Sequence, residues 1–154
     1  MGKIIFKYIT GIKFFIFLFC ASGIYAQNHY YLTPEFFNSQ QGLSSSKITC
    51  ITKDDKGFIW IGTDDGLNKY DGHSFTVYKT IEGDSTSLFS NHILSLYSDS
   101  RQCLWVGTSS GLQYYDSSTD NFINANLNQP GDFIRNQCNN IFEDSKGNMW
   151  FDYG

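Results

Sequence analysis

The chain has 154 residues, of which 41% are hydrophobic, 18% aromatic and 17% charged, and its formal net charge is −4. Modest mixed charge and only 2 prolines argue against a wholly disordered chain, and the acidic balance argues against a basic nucleic-acid-binding surface. The 14 glycines and the low charge favour strands and turns over helices.

Residues 1–26 are predicted to be a cleavable signal peptide. Three lysines and no acidic residue accompany a continuous apolar run at 14–21, and small residues follow. Cleavage is expected after Ala26, with a cut after Gly23 as the alternative; a lipoprotein at Cys20 is disfavoured by the bulky residue before it. An uncleaved anchor would need about 20 apolar residues, which the run does not reach. We therefore expect an exported mature chain without a membrane span, in which 8 of the 11 basic residues remain against 15 acidic ones.

Residues 27–47 are predicted to be an N-terminal segment that precedes the folded repeats. Within this segment, 30–38 (YYLTPEFFN) has a strand-like composition. We expect 30–38 to be an outer strand that this N-terminal segment donates to complete the last sheet of the repeat array, whose partner sheet is missing from this chain.

The rest of the chain is a repeat with a period of 45 residues, which is the spacing of Trp60, Trp105 and Trp150. The segments 48–71 and 93–116 align without gaps, and a third copy begins at residue 138. Nine of the 24 aligned positions in the first two copies are identical, namely Ile48/Ile93, Asp54/Asp99, Trp60/Trp105, Gly62/Gly107, Thr63/Thr108, Gly66/Gly111, Leu67/Leu112, Tyr70/Tyr115 and Asp71/Asp116.

Each copy contains four short apolar or alternating runs separated by glycine-containing turns. In the first copy these runs cover 48–53, 58–63, 67–70 and 74–79. Four strands per 45 residues are typical of one blade of a β-propeller. We therefore predict an all-β chain of four-stranded antiparallel blades, with blades at 48–92 and 93–137 and a truncated third blade at 138–154.

The repeated residues are predicted to be structural. Tryptophans in mid-strand would fill the space between neighbouring blades, glycines would allow close backbone approach or a positive φ, and aspartates would accept backbone hydrogen bonds in the first hairpin turn. The structural positions are Trp60, Gly62, Thr63, Gly66, Leu67, Trp105, Gly107, Thr108, Gly111, Leu112 and Trp150, and the turn aspartates are Asp54, Asp99 and Asp144.

No residue is predicted to catalyse a reaction or to bind a metal or cofactor. The three cysteines of the mature chain have no zinc spacing, which leaves buried thiols or one internal disulfide. The histidines are isolated in sequence, and the oxygen-rich segment after Asp116 lacks the glycine and closing acid of a calcium loop. Ligand-binding residues are not identified; loops at 64–65, 82–84, 109–110 and 126–132 lie where propellers place their ligands. The cysteines of the mature chain are Cys50, Cys103 and Cys138, and its histidines are His29, His73 and His92.

The pattern WIGTxxGLxxYD of the first copy resembles the two-component regulator propeller repeat, and the resemblance extends over residues 36–151. It implies a periplasmic domain that senses glycan breakdown products, so that an oligosaccharide would be the ligand of the full-length sensor. In such sensors two propellers precede a β-sandwich, a membrane helix and a cytoplasmic histidine kinase with a receiver and a DNA-binding region.

The third copy departs from the repeat after Trp150, where Phe151 is followed by Asp152 and Tyr153 instead of glycine and threonine. We expect the chain to be the N-terminal fragment of such a sensor, without kinase chemistry and with its remaining blades missing. The alternatives are a stand-alone secreted protein whose incomplete blades assemble with other copies, a non-functional product of a truncated gene, and a remnant of a propeller enzyme.

Overall fold

The computed structural model describes residues 34–125 and 136–153, and within them the secondary structure is almost entirely antiparallel β-sheet. The chain divides into two compact units, Met1–Glu35 and Phe36–Gly154, and all described strands belong to the second. The predicted signal peptide lies outside the described residues. Within the described ranges, no helix is long and apolar enough to cross a bilayer.

Three sheets follow one another along the chain, and their strands are hydrogen-bonded in sequence order. The first blade consists of β1 (Ile48–Lys53), β2 (Ile59–Thr63), β3 (Gly66–Tyr70) and β4 (Phe75–Tyr78). The second blade consists of β5 (Ile93–Ser98), β6 (Leu104–Thr108), β7 (Gly111–Asp116) and β8 (Asn121–Asn124). The third repeat has β9 (Cys138–Glu143) and β10 (Met149–Tyr153). The prediction of an all-β chain with two four-stranded blades and part of a third is confirmed.

One carboxylate organises the first hairpin of each repeat. The carboxylate of Asp54 accepts a hydrogen bond from the backbone N–H of Phe58 at 2.9 Å and another from the indole Nε1 of Trp60 at 2.8 Å. The turn and the orientation of the tryptophan are thus fixed together. The same carboxylate–indole bond recurs between Asp99 and Trp105 at 2.9 Å and between Asp144 and Trp150 at 3.2 Å.

The hydrophobic core lies between successive sheets rather than within one sheet. We call the face of a repeat that is turned to the next repeat its trailing face, and the opposite face its leading face. Trp60 and Leu67 on the trailing face of the first blade pack with Val106 and Phe122 on the leading face of the second, and all four are at most 3% exposed. A second cluster, around Leu112, joins the second blade to the third repeat in the same way.

The turn between the second and third strands is also repeated. Gly66 and Gly111 have φ values of 136° and 147°, a backbone conformation that favours glycine. The hydroxyl of Thr63 donates to the backbone oxygen of Gly66 at 2.8 Å, and that of Thr108 donates to Gly111 at 3.0 Å. Both threonines are completely buried.

The segment predicted to be a donated outer strand is only partly described. Residues 30–33 lie outside the described residues, and 34–38 form no strand. The side chain of Asn38 instead caps the short 3₁₀ helix Ser39–Gln41 by accepting a hydrogen bond from Gln40 N at 2.8 Å. Strand donation therefore stays a proposal.

Phe37 covers part of the leading face of the first blade. Its ring lies 5.1 Å from that of Tyr70 and 5.3 Å from that of Phe75. At the equivalent place on the second blade, Phe122 is contacted by Tyr78 of the first blade, with 5.3 Å between the ring centroids. Phe37 therefore makes, on the first blade, the kind of aromatic contact that a preceding blade makes on the second.

The three repeated tryptophans differ in exposure although they occupy the same position in the repeat. Trp60 is 0% exposed, Trp105 is half-buried and packs on Phe151 at 5.3 Å, and Trp150 is 56% exposed. The exposure follows what packs on each trailing face: a four-stranded blade packs on the face of Trp60, the two described strands of the third repeat pack on that of Trp105, and no described strand packs on that of Trp150.

Candidate functional site

A cleft of about 90 Å³ opens between the first and second blades, at the end of the sheets where the β1–β2 and β5–β6 turns lie. We call it the seam cleft. Acidic, basic, amide and aromatic side chains line it together, a composition suited to a polar ligand rather than to an apolar one. The lining residues are Asp54, Asp55, Lys56, Phe58, Lys69, Gln102, Leu104, Tyr115 and Ser117.

Lys69 forms the inner wall of the seam cleft. Strand β3 directs its ammonium group between aromatic rings, 4.4 Å from the ring centroid of Phe58, 5.3 Å from that of Trp60 and 5.2 Å from that of Tyr115. The ammonium also donates a hydrogen bond to the hydroxyl of Tyr115 at 3.3 Å. Cation–π contacts of this kind help to hold the two blades together at the cleft, because Phe58 and Trp60 belong to the first blade and Tyr115 to the second.

Two tyrosines, one from each blade, donate hydrogen bonds to the same carboxylate. The hydroxyl of Tyr78 donates to Asp120 Oδ1 at 2.7 Å, and that of Tyr115 donates to the same oxygen. The hydrogen bond from Tyr115 has the largest effect in lowering the pKa of Asp120, and the bond from Tyr78 lowers this pKa further. Burial, reinforced by the bond to Asp120, raises the pKa of Tyr115 to about 12 and also raises that of Tyr78. The carboxylate is therefore ionised and both phenols are protonated at neutral pH.

The outer wall of the seam cleft carries exposed polar groups. Lys56 crosses the cleft and donates to the hydroxyl of Ser117 at 2.8 Å. Asp55 and Gln102 are exposed at the rim, and Gln102 has a φ of 68°, which fixes the turn that presents its amide. These groups can exchange hydrogen bonds with a ligand. Among the described residues, no cluster of three or more His, Cys, Asp or Glu side chains could hold a metal ion.

The described loops that the sequence placed near a ligand, 64–65, 82–84 and 109–110, lie at the opposite end of the blades, with the β2–β3 and β6–β7 turns. Asp64 forms an ion pair with Lys47 at 3.6 Å, and Asp65 forms one with Lys79 at 2.7 Å. The loop at 109–110 bonds within the protein, the loop at 82–84 is exposed, and the loop at 126–132 lies outside the described residues. The structure thus does not bring the three described loops together with the seam cleft.

The other sequence candidates occupy ordinary structural environments. Asp116 accepts hydrogen bonds from the hydroxyls of Ser118 and Thr119, as in a plain turn. His73 and His92 are exposed, and His29 lies outside the described residues. The three thiols, of Cys50, Cys103 and Cys138, are free.

Sequence reasoning missed Lys69, Tyr78 and Asp120. Position 69 is not distinguished in the sequence, because it is one of the 15 aligned positions at which the first two copies differ. The bonds from Lys69 to Tyr115 and from Tyr78 to Asp120 join residues of different blades, and those pairings depend on how the blades pack.

Acidic pH should lower the free energy of unfolding of the protein, in part by protonating Asp120. Because its pKa is lowered in the folded state, its contribution to stability is present above the unfolded value of about 3.9 and is lost as the pH falls through and below that value. We expect Asp120→Asn to be less stable than the wild type at neutral pH and to lose less stability between neutral and acid pH. Asparagine tolerates the φ of 58° at this position, so the variant changes mainly the charge. Urea unfolding at a series of pH values measures the difference, and parallel pH profiles would contradict the role of Asp120.

The family model described as "Two component regulator propeller" matches residues 42–65 and 87–110. The chain carries two-component regulator propeller repeats. Each match begins in the loop before a blade, where Leu43 and Leu88 are buried at 4% and 1% exposure. A propeller repeat therefore includes its entry loop, which Asn68 and Gln113 hold through hydrogen bonds of 2.8 Å from the backbone N–H groups of Ser44 and Phe89.

Proteins similar to these propeller repeats belong to bacterial two-component systems. Histidine kinase P4 of Formosa agariphila is 42% identical over 73 residues, which are 47% of this chain and 5% of that kinase. The extracellular domain of the hybrid two-component system BT3049 from B. thetaiotaomicron aligns with 31% identity and a TM-score of 0.66 over 76% of this chain and 17% of that domain. The extracellular domain of the hybrid two-component system BT4673 from the same organism aligns with 30% identity and a TM-score of 0.62, over 80% of this chain and 18% of that domain. The chain thus spans a small part of each of these proteins.

Proposed function

We propose that this chain is an N-terminal part of a periplasmic, ligand-sensing β-propeller from a hybrid two-component sensor. The observation that carries the proposal is the match of the entry loop and first two strands of each blade, residues 42–65 and 87–110, to the two-component regulator propeller repeat, together with the likeness to extracellular domains of such systems. In this proposal the chain binds and does not catalyse, and kinase activity resides in parts of a sensor that this chain does not contain. Export through the predicted signal peptide at 1–26 places it in the periplasm.

We further propose that the ligand is an oligosaccharide. The seam cleft supports this, because sugar hydroxyls both donate and accept hydrogen bonds and the rim offers a carboxylate at Asp55, an amide at Gln102 and an ammonium at Lys56. The aromatic edges of Phe58 and Tyr115 provide apolar surface for the C–H faces of a sugar ring. The volume of about 90 Å³ admits part of one sugar residue, with the rest of the chain in solvent.

Isothermal titration of the purified mature chain with a panel of neutral and acidic oligosaccharides tests the ligand class. Asp55→Ala and Gln102→Ala, both exposed, should weaken binding about tenfold, which corresponds to about 1.4 kcal/mol. Asp65→Ala, at the opposite end of the blades, is the matched control and should leave the affinity unchanged.

The possible outcomes separate the two parts of the proposal. Absence of binding to every oligosaccharide in the panel would contradict the ligand class. Binding that is weakened by Asp65→Ala and not by the two cleft variants would move the site to the opposite end of the blades and reject the seam cleft.

A further inference from the structure

The ammonium group of Lys69 lies among three aromatic rings at the seam between the first two blades. The ring centroids of Phe58, Trp60 and Tyr115 are 4.4, 5.3 and 5.2 Å from its Nζ atom. All three distances fall within the roughly 6 Å over which the face of an aromatic ring attracts a cation. We call these three rings the cage. Trp60 is completely buried and the other two rings are half-buried, so the cage is partly shielded from solvent.

A hydroxyl group completes the contacts that an ammonium group needs. The Nζ atom of Lys69 donates a hydrogen bond to the hydroxyl of Tyr115 at 3.3 Å, and that hydroxyl donates in turn to the carboxylate of Asp120. Among the described residues Lys69 forms no ion pair, whereas Lys47 and Lys79, at the opposite end of the blades, each pair with an aspartate. The rings and the hydroxyl are therefore the groups that hold this cation directly.

The second blade lacks both the ammonium group and one of the rings of the cage. Cys103 stands at the position that Phe58 occupies in the 45-residue period. Tyr114 stands at the position of Lys69, and its ring centroid lies 5.8 Å from that of Trp105. The lysine is thus present in the blade that has the additional ring, and a neutral side chain replaces it in the blade that does not.

We propose that this seam contains a binding site for a primary alkylammonium group, which the side chain of Lys69 occupies in this chain. Phe58 and Trp60 belong to the first blade and Tyr115 to the second, so an ammonium group in the cage connects the two blades. The cage forms the inner wall of the seam cleft, and its affinity for an ammonium group does not depend on what binds at the rim. Shortening Lys69 to alanine opens the cage to an ion from solution.

The n-propylammonium ion tests the site in the Lys69→Ala variant of the purified mature chain, because it replaces the atoms from Cγ to Nζ that the substitution removes. We expect isothermal titration to give a dissociation constant in about the millimolar range, as is usual for so small a ligand. At about ten times that constant, the ion should raise the folded-to-unfolded ratio of the variant about elevenfold in urea unfolding. 1-Propanol has the same number of non-hydrogen atoms and no charge, and its effect should be much smaller.

Lys79→Ala is the matched control variant. It removes the same atoms from an exposed lysine, which pairs with Asp65 and has no cation–π contact among the described residues. The n-propylammonium ion should stabilise neither Lys79→Ala nor the wild type beyond the effect of sodium chloride at the same concentration.

A double-mutant cycle between positions 58 and 69 tests the cage without an added ion. Lys69→Met keeps an unbranched side chain and removes the charge, and Phe58→Leu removes the ring nearest to the ammonium group. We expect Phe58→Leu to lower the folding equilibrium constant about two- to fivefold less in the Lys69→Met background than in the wild type. In the Lys69→Arg background, which keeps the charge, the effect of Phe58→Leu should stay close to that in the wild type.

A cation site in the cage is contradicted if 1-propanol stabilises Lys69→Ala as strongly as n-propylammonium does, or if the ion stabilises Lys79→Ala to the same extent. Additive effects of Phe58→Leu and Lys69→Met also contradict it, because the ring and the charge would then act independently. The cycle decides the question even where Lys69→Ala does not fold.

Discussion

Replacing Trp60 with alanine is expected to cost about 3–5 kcal/mol of unfolding free energy, as is typical for a large buried aromatic residue. Trp60 is 0% exposed and packs on Tyr115 of the second blade at a ring distance of 4.7 Å and on Tyr78 at 5.7 Å. Its loss also leaves the carboxylate of Asp54 without its indole donor. Urea unfolding of the purified chain, followed by far-UV circular dichroism, measures the change.

Trp150→Ala is the control that the repeat itself provides. It removes the same side chain from the same position, including the bond to the turn aspartate, but Trp150 is 56% exposed and no described strand packs on it from a further repeat. We expect a loss of about 1 kcal/mol or less, as for surface substitutions with few contacts. Equal losses for the two variants would mean that the tryptophan stabilises its own hairpin and that packing between repeats contributes little.

The elements of the fold that depend on local sequence could be predicted, because the repeat shows each of them at least twice. Turn residues with fixed chemistry ended the strands, so the predicted run 48–53 is strand β1, and 67–70 differs from β3 by the single residue Gly66. The 45-residue period also identifies which residues are equivalent, but equivalent residues differ in their exposure to solvent. Trp150 shows this, since its exposure is set by what packs on the sheet and not by its own hairpin.

The specific residue pairs that meet between repeats could not be predicted, since they combine repeated residues such as Tyr115 with residues that differ between the copies, such as Lys69, and with Asp120 in a connection of variable length. The carboxylate of Asp120 receives hydrogen bonds from tyrosines of two blades, and Lys69 lies among rings from both. Each pairing depends on the distance and rotation between sheets. The sequence assigned glycines to close backbone approach, but only the structure identifies Ile93 and the backbone of Cys138 as the atoms that approach.

Gly107→Ala should destabilise the protein by about 3 kcal/mol, at the upper end of the usual range for overpacking. The added methyl group would fall on the hydroxyl of Ser95 and 2.6 Å from the backbone oxygen of Cys138. Gly107 has no positive φ, so the cost arises from crowding and not from backbone strain. The third repeat would have to move away from the second blade, and urea unfolding measures the loss.

Gly62→Ala distinguishes crowding by side chains from crowding by backbone. Its added methyl group would lie 2.5 Å from the thiol of Cys50 and 2.7 Å from a side-chain carbon of Ile93, both of which can be shortened by substitution. In double-mutant cycles, Cys50→Ala should recover part of the stability that Gly62→Ala loses, and Ser95→Ala part of the stability that Gly107→Ala loses. The recovery by Cys50→Ala should be the larger one, because the backbone oxygen of Cys138 stays in place beside residue 107. If Ser95→Ala recovers as much as Cys50→Ala does, the backbone of the third repeat does not approach Gly107 closely enough to cause the loss.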